Sequence, residues 1–457
     1  MWDRFLNVLL KLLAMLLTPV ALVTGVSSSV MELYGEGAIV AGQRDYCFDR
    51  DRLLLGAYNN GLSENYAILP ALAKEAGLDF LVSWVADNED FLDKCREAGI
   101  GVVAKGWNGN PSFMSLPEDA RWMNLTGENY KKHPALWGDD FVDEPFTPHF
   151  KDLSKFVDHY NSLDTGRMLY INLLPIHNED DSSVPLWRKI LLPATLYASE
   201  NLDSYRRHVG EYIKNIDNDC ISVDHYPYNV DGTSRDWLDN LDILAEAARD
   251  TNRDLWVITQ AAGNEVDHKD GSNKRWANKK SDQLQQGWAC MAFGAKAIIY
   301  ACFQDGWWDD GSRMLTAAGE PTATYYAVQA ANAEFAPFAK KYGEYQWRGA
   351  HLVNSLKVAG AYSNVLSNGL PREKRLPVLS LAGLVVGCFD AKQGGGNAYV
   401  IANMNELLKE ESAACTVCFP QGKTVTVYGG GEKIIYENGG AVTLTLEPGD
   451  GRFITVE

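Results

Sequence analysis

Eight short apolar segments recur between residues 53 and 304, and amphipathic stretches separate them. The segments are 53–59, 80–85, 101–107, 136–145, 168–175, 221–228, 255–262 and 297–304. The stretches between them carry apolar residues three and four positions apart, which is typical of a helix with one buried face. Glycines 77 and 99 follow two of these stretches, where helices are expected to end. Eight apolar strands that alternate with helices predict a closed (β/α)8 TIM barrel.

A doubly wound nucleotide-binding sheet is the main competing architecture for alternating strands and helices. Such a sheet would place a glycine-rich phosphate loop after its first strand. Neither GxGxxG nor GxxxxGK[ST] occurs in the sequence. The polar residues instead gather at the C-terminal ends of the apolar strands, where barrel enzymes build their sites.

The sequence pattern changes near residue 350. Strand-like alternation follows, interrupted by glycines and Asn-Gly pairs. We therefore predict a barrel over 36–355 and a small C-terminal all-β sandwich over 375–457, with a linker at 362–375. The predicted fold class is α/β, a TIM barrel followed by this sandwich.

The first 30 residues differ from the rest of the chain. Arg4 and Lys11 precede an apolar run over 12–26, and small residues follow it. The run has the length of a signal-peptide core and is short for a membrane span. We predict that residues 1–30 are a signal peptide or N-terminal anchor of an exported protein. An amphipathic helix docked on the domain is the alternative, and membrane contact is expected only through an anchor.

Charge and cysteine usage narrow the function classes. The net charge is −18, with 60 acids against 42 bases, so no basic surplus exists to neutralise a nucleic acid. The eight cysteines show no disulfide-framework spacing. His225 with His149 or His268 is a conceivable metal set, but HxH and HExxH spacings are absent. We therefore predict no cofactor.

The segment "LWGDDFVDEP" at 136–145 places four acids on one predicted strand: Asp139, Asp140, Asp143 and Glu144. Because successive side chains of a strand alternate, Asp143 and Glu144 are not both expected to point into the barrel. Glu144 is the better candidate for the cavity, and Asp143 is expected to accept hydrogen bonds from neighbouring strands. At least one of Asp139 and Asp140 is expected to be structural.

The longer segment "HPALWGDDFVDEP" resembles the fourth strand of clan A glycoside hydrolases, the (β/α)-barrel glycosidases, whose motif there is Asn-Glu-Pro. The resemblance implies that Glu144 is the general acid/base. Asp143 replaces the Asn that contacts the sugar 2-hydroxyl in that clan, and an Asp can accept but not donate a hydrogen bond there. The order of the other strand segments over most of 50–310 is also glycosidase-like, but only Asp-Glu-Pro is specific.

Glycoside cleavage needs a second carboxyl group beside the scissile bond. The resemblance implies a Glu at the end of strand seven, but that strand ends in Gln260, and an amide cannot be the nucleophile. Asp224 in "VDHYPY" is the first candidate, because an acid in an apolar strand is costly unless it is used or paired. Glu265 is the second, and an inverting, substrate-assisted or non-hydrolytic protein is the third alternative. We expect the carboxyl groups of Glu144 and Asp224 to lie about 5–9.5 Å apart.

Aromatic and neutral polar side chains are expected to complete the site. Aromatic faces stack on sugar rings, and amides and hydroxyls suit sugar hydroxyls. The predicted substrate-binding residues are Asp143, Trp107, Asn172, His225, Tyr226, Gln260, Gln304 and Trp307. The sequence thus predicts a glycosidase for a neutral carbohydrate. A non-catalytic carbohydrate-binding protein on a degenerate barrel and a metal-dependent barrel hydrolase are the alternatives.

Overall fold

A computed structural model gives the architecture of the chain. It describes residues 37–42, 44–59, 65–84, 89–105, 133–162, 166–176, 194–229, 232–261, 277–304, 313–362 and 365–457. The predicted leader at 1–30 lies outside the described residues. Within the described part, no helix is both long and apolar enough to cross a membrane.

Eight parallel strands run in chain order around a closed barrel, and the last strand pairs with the first. They are β1 (Leu54–Asn59), β2 (Phe80–Trp84), β3 (Gly101–Lys105), β4 (Leu136–Asp143), β5 (Met168–Leu173), β6 (Cys220–Asp224), β7 (Asp254–Gln260) and β8 (Ala297–Ala301). Each strand begins within one residue of the start of an apolar segment of the sequence. The prediction of a TIM barrel is confirmed.

Helices pack around the outside of the barrel. They are α1 (Leu69–Glu75), α2 (Glu89–Ala98), α3 (Phe150–Ser162), α4 (Ala194–Asn215), α5 (Trp237–Asp250), α6 (Lys280–Ala292), α7 (Ala323–Phe335) and the short α8 (Ala339–Gly343). In α3 the buried residues Phe150, Leu153 and Val157 recur every three or four positions and face the strands. Glycines 77 and 99 follow α1 and α2 with positive φ, as their sequence positions predict.

Aromatic side chains fill the N-terminal half of the barrel. Phe48 stacks on Trp137 with ring centroids 4.8 Å apart, and Phe80 lies 5.1 Å from Trp256. Gly101 makes room for this layer, since a Cβ at that position would lie 2.1 Å from the Trp137 ring. The packing closes one end of the barrel, so a cavity can open only toward the C-terminal ends of the strands.

The C-terminal part is a sandwich of two antiparallel sheets around a second apolar core. The larger sheet has the order β9 (Tyr345–Val353), β11 (Leu384–Ala391), β12 (Asn397–Asn403), β17 (Gly451–Val456), β14 (Val425–Gly429) and β15 (Glu432–Tyr436). The smaller has the order β10 (Val378–Ser380), β13 (Ala413–Phe419) and β16 (Gly440–Leu446). The predicted sandwich is confirmed.

The first strand of the sandwich differs from the predicted domain boundary. β9 lies inside the range 36–355 that we predicted for the barrel, yet it pairs along its length with β11. The reason is that α8 ends at Gly343, after which the first four residues of "YQWRGAHLV" alternate between buried and exposed as a sheet strand does. The strand was missed because its alternation lies immediately after a helix.

Candidate active site

Two bulges in β4 decide where its acids point. Trp137 is an extra residue against β3, and Phe141 is an extra residue against β5. Simple alternation would put Asp140 and Asp143 on opposite faces, but the bulge at Phe141 brings both to the inside of the barrel. Lys105 at the end of β3 contacts both of these carboxylates.

Glu144 follows the last residue of β4 and has a left-handed backbone, with φ of 50°. Its backbone N–H donates to the carbonyl of Asn172 on β5 over 2.9 Å. Non-glycine residues seldom adopt this conformation, and such strain is concentrated at functional sites. The conformation turns the Glu144 side chain into the same cavity as Asp143. The expectation that only one of the two faces inward is wrong, because alternation ceases to apply where the strand ends.

A cavity of about 230 Å³ opens at the C-terminal ends of the barrel strands. It is lined by Tyr58, Asp143, Glu144, Asn172, Asp224, Tyr226 and Ile258. Five residues predicted from the sequence as catalytic or substrate-binding therefore meet in one place: Asp143, Glu144, Asn172, Asp224 and Tyr226. They come from β4, β5 and β6 or directly follow these strands.

Asn172 joins two of the cavity carboxylates. Its Nδ2 donates to Asp224 Oδ1 over 2.8 Å and lies 3.3 Å from Asp143 Oδ1. Its Oδ1 accepts from the hydroxyl of Ser222, which in turn pairs with Tyr170. The amide orientation follows from these bonds, and its N–H group favours the ionised form of Asp224.

The electrostatics of the cavity favour one shared proton on the carboxyl groups of Glu144 and Asp224. Burial, followed by the negative charges of Asp224 and Asp143, raises the pKa of Glu144 to about 8. Burial and Asp143 also raise the pKa of Asp224, while the bond from Asn172 opposes that rise. Two carboxyl groups in contact cannot both ionise readily, so at neutral pH Glu144 holds the proton.

A hydrogen-bond contribution from Asp224 adds to the rise in the pKa of Glu144. The left-handed turn at Glu144 directs its side chain into the cavity that Asp224 also lines. The separation of about 5–9.5 Å that we expected between the two carboxyl groups stays a prediction.

The raised pKa of Glu144 predicts how stability depends on pH. A folded-state pKa of about 8 against an ordinary value of 4.5 means that the folded state holds the proton more tightly. The stability it contributes is complete below pH 4.5 and is lost as the pH rises through about 8. The side chain at position 144 cannot ionise in Glu144→Gln. From pH 5 to pH 9 the free energy of unfolding of the parent should therefore fall relative to that of the variant. Urea denaturation at both pH values measures this, and parallel pH dependence would contradict it.

Lys105 was not recognised from the sequence. Its Nζ lies 3.6 Å from Asp140, 3.9 Å from Asp143 and 4.5 Å from the centre of the Tyr58 ring. Burial raises the pKa of Asp140 to about 6, and the positive charge of Lys105 opposes that rise. One signal was available, since this lysine ends the otherwise apolar strand "GVVAK". A buried cation in such a strand implies an acidic partner.

Asp139 and Asp140 both have structural partners. Asp139 faces outward, where it lies 3.0 Å from the Arg167 guanidinium and accepts a hydrogen bond from Tyr160 of α3. Asp140 pairs with Lys105 inside the barrel. Two of the four acids in the segment 136–145 therefore stabilise the barrel through buried contacts. Asp143 and Glu144 remain for the cavity.

We expect Lys105→Met to destabilise the fold. Lys105 is the cation of a buried ion pair with Asp140. Removing it leaves this carboxylate buried without a positive partner, so the free energy of unfolding should fall by about 3 kcal/mol. Lys155→Met is the matched control, because it removes a lysine whose ion pair with Asp152 is exposed. It should change the unfolding midpoint in urea far less. Equal midpoints for the two variants would contradict a buried role for Lys105.

Gln260 was predicted to bind substrate, but the structure does not bring it to the cavity. Its Oε1 accepts from the backbone N–H of Tyr228 over 2.9 Å, and its Nε2 donates to the carbonyl of the same residue over 3.2 Å. The side chain is fully buried. It holds the segment after β6, so its amide is engaged with the backbone.

Gln304 and His225 also lie outside the cavity lining. The Nε2 of Gln304 donates to the carbonyl of Ala317 over 3.1 Å. The Nε2 of His225 lies 3.4 Å from the carboxylate of Asp236. Both side chains are buried and contact groups outside the cavity lining. Three further candidates lie outside the described residues: Trp107, Glu265 and Trp307.

Gln260→Glu should not raise turnover, although it supplies the glutamate that the resemblance to clan A enzymes implies at this position. A carboxylate cannot donate to the Tyr228 carbonyl, so two acceptors would face each other in a buried place. The free energy of unfolding should fall by about 1–3 kcal/mol, and turnover should not rise. Gln260→Met is the comparison variant, because it removes both hydrogen bonds to the Tyr228 backbone without adding a charge. A gain in turnover for Gln260→Glu would show that the side chain reaches the cavity.

Comparison with known proteins bears on the fold. A solved structure described as a glycoside hydrolase matches 94% of this chain and 98% of its own, with a TM-score of 0.50 at 11% sequence identity. The likeness shows the fold. The TIM barrel and its C-terminal β-domain thus occur together in a protein of that description, and the sequence resemblance to barrel glycoside hydrolases is confirmed at this level.

Two further solved structures match less of this chain, with lower TM-scores. An endo-α-mannosidase of family GH99 from Bacteroides thetaiotaomicron matches 61% of this chain and 80% of its own, at 14% identity and a TM-score of 0.39. A family 5 mannosidase from Rhizomucor miehei matches 67% and 100%, at 11% identity and a TM-score of 0.39. No family model matches the sequence, and no curated protein does. In the described part of the chain, no group of three or more His, Cys, Asp or Glu side chains is arranged to hold a metal ion.

Proposed function

We propose that this chain is a glycoside hydrolase that cleaves a neutral oligosaccharide or polysaccharide. Glu144 is the general acid/base, and Asp224 is the second carboxylate. One observation carries the proposal: two carboxyl groups meet in a cavity at the barrel mouth, and the pKa of Glu144 is raised to about 8. Cleavage of a glycosidic bond requires a protonated and an ionised carboxyl group on either side of it.

The proposed step assigns each group one task. Protonated Glu144 donates to the glycosidic oxygen as the bond from that oxygen to the anomeric carbon breaks. Ionised Asp224 either forms a bond to the anomeric carbon or takes a proton from a water that does so. In the first case Glu144, left as a carboxylate, then removes a proton from an incoming water, whose oxygen bonds to the anomeric carbon as the bond to Asp224 breaks.

The charge of the cavity supports a neutral substrate. Among the described residues, three acids line the cavity: Asp143, Glu144 and Asp224. The ammonium group of Lys105 contacts the carboxylates of Asp140 and Asp143. Acidic side chains outnumber this lysine, so a sugar carboxylate or sulfate would meet repulsion. Asn172 and Tyr226 offer uncharged hydrogen-bonding groups to sugar hydroxyls.

A carbohydrate-binding protein without catalytic activity is the second candidate. It is favoured by Gln260, which stands where clan A enzymes carry their nucleophile and is engaged with the backbone of Tyr228. Such a protein would bind a sugar without turnover. We also propose that the chain is exported, because of the apolar run in residues 1–30. Detection of the protein outside the cell or on its surface, with or without residues 1–30, tests that proposal.

A panel of neutral aryl glycosides in both anomeric configurations, with matching uronides, tests the proposed function. We expect release of the aryl alcohol from at least one neutral glycoside, with little release from the uronides. Chelator should leave the rate unchanged, which separates this protein from a metal-dependent hydrolase. Saturable binding of an oligosaccharide with no release from any glycoside would instead support the second candidate.

A further inference from the structure

A two-stranded hairpin directly follows the cavity residues of β6. Asp224 ends the strand, Tyr226 lines the cavity, and Tyr228 and Thr233 pair across the hairpin. The hairpin is therefore joined to the end of β6 by only three residues. Each side of this hairpin has a partner on another element.

The C-terminal sandwich holds one side of the hairpin. Glu406, from the segment between β12 and β13, accepts from the Thr233 backbone N–H through Oε2 and from the Thr233 hydroxyl through Oε1, both over 3.1 Å. The carboxylate approaches so closely that a Cβ on Gly232 would lie 2.9 Å from it. Such two-point acceptance by a carboxylate fixes direction as well as distance.

A glutamine of the barrel connects the other side of the hairpin to the sandwich. The hydroxyl of Tyr228 donates to Gln285 Oε1 over 3.1 Å. The Nε2 of Gln285 donates to the carbonyls of Asn403 and Asn405, each over 3.0 Å. Leu407 packs with Tyr228 in a small apolar cluster beside these bonds. Gln285 is fully buried, so the bonds are shielded from water.

We propose that the C-terminal sandwich positions the catalytic end of β6, and that Glu406 and Gln285 are the positioning residues. The proposal rests on the proposed function. The sandwich is then part of the active-site architecture rather than a separable binding module. It also explains Gln260, whose amide holds the backbone of Tyr228 from the barrel side.

Glu406→Gln is the test variant. A glutamine has the same shape but one acceptor oxygen, so one of the two donors of Thr233 would face an NH2 group. Glu410→Gln is the matched control, because Glu410 forms an exposed ion pair with Lys279 between the same two parts of the chain and does not touch the hairpin. Both variants should keep the parental unfolding temperature within a few degrees.

The variants should differ in kinetics. We expect Glu406→Gln to lower kcat about tenfold with little change in KM, since small misplacement of a reacting group slows the chemical step. Displaced Asp224 would repel the Glu144 carboxylate less, so the alkaline limb of the pH profile should move to lower pH. The other groups that face Glu144, Asp143 on β4 and Lys105 on β3, are untouched by either variant.

Hydrogen exchange in the peptide covering 226–233 gives a readout that does not need activity. It should rise in Glu406→Gln and match the parent in Glu410→Gln. If Glu406→Gln shows the hydrogen exchange, kcat and pH profile of the parent, the positioning role is overturned. Glu144→Gln, measured in the same assays, tests the proposed function. Loss of turnover in Glu144→Gln with no effect of Glu406→Gln removes the inference alone. Unchanged turnover in Glu144→Gln removes the function itself.

Discussion

Asp224→Asn should lower kcat on a neutral aryl glycoside by a factor on the order of 10⁴. An amide neither attacks the anomeric carbon nor stabilises the positive charge that develops there. The fold should survive, because Asn Oδ1 can still accept the bond from Asn172, which spans 2.8 Å in the parent. Initial-rate kinetics, with circular dichroism as a check on folding, measure the effect.

The same variant should also change the titration of Glu144. The negative charge of Asp224 and its bond to Glu144 contribute to the raised pKa, and both are lost. The alkaline limb of the residual activity should therefore move to lower pH. Retention of the anomeric configuration in the product of the parent, measured by NMR, would identify Asp224 as a nucleophile, and inversion would identify it as a general base. Near-parental turnover in Asp224→Asn would pass the role to another carboxylate, such as Asp143 or Glu265.

Glu144→Gln should lower kcat by about 10²–10⁴-fold on substrates whose leaving group needs a proton. The amide fills the same volume as the carboxyl group, so oligosaccharide affinity should stay within a few-fold of the parent. Titration calorimetry measures the affinity, and initial rates measure the turnover. The left-handed backbone at 144 is present in both proteins, so it does not confound the comparison.

Asp143→Asn is the matched comparison for Glu144→Gln. It removes a neighbouring carboxylate in the same cavity and introduces the residue that clan A enzymes carry there. Its effect on kcat should be much smaller than that of Glu144→Gln, because the proposed step gives Asp143 no proton to transfer. A larger loss in Asp143→Asn than in Glu144→Gln would reverse the roles of these two residues.

The barrel was predictable from the sequence because strands buried on both faces leave an apolar record. All eight apolar segments became barrel strands, and their polar C-terminal ends became the mouth. The place of Asp224 in the cavity was predictable, because burying an acid in the apolar strand "CISVD" costs free energy unless the acid is paired or takes part in the function. These inferences depend on local composition alone, which a single sequence contains.

The rest of the site depends on register and on contacts between distant segments. The alternation rule failed for Asp143 and Glu144 because the strand ends at Asp143 and Glu144 adopts a left-handed turn, which no sequence pattern marks. Lys105 gains its partners only when β3 and β4 lie side by side. Gln260 was expected to face the cavity, but its amide holds the backbone of Tyr228, which lies 32 residues earlier in the chain.

The role of Glu144 is tested most directly by a series of aryl glycosides that share one sugar and differ in the pKa of the leaving group. A general acid matters most for poor leaving groups and little for acidic phenols that depart unaided. The ratio of parental to Glu144→Gln turnover should therefore fall steadily as the leaving group becomes more acidic. A ratio that stays constant across the series, or equals one throughout, would contradict proton donation by Glu144.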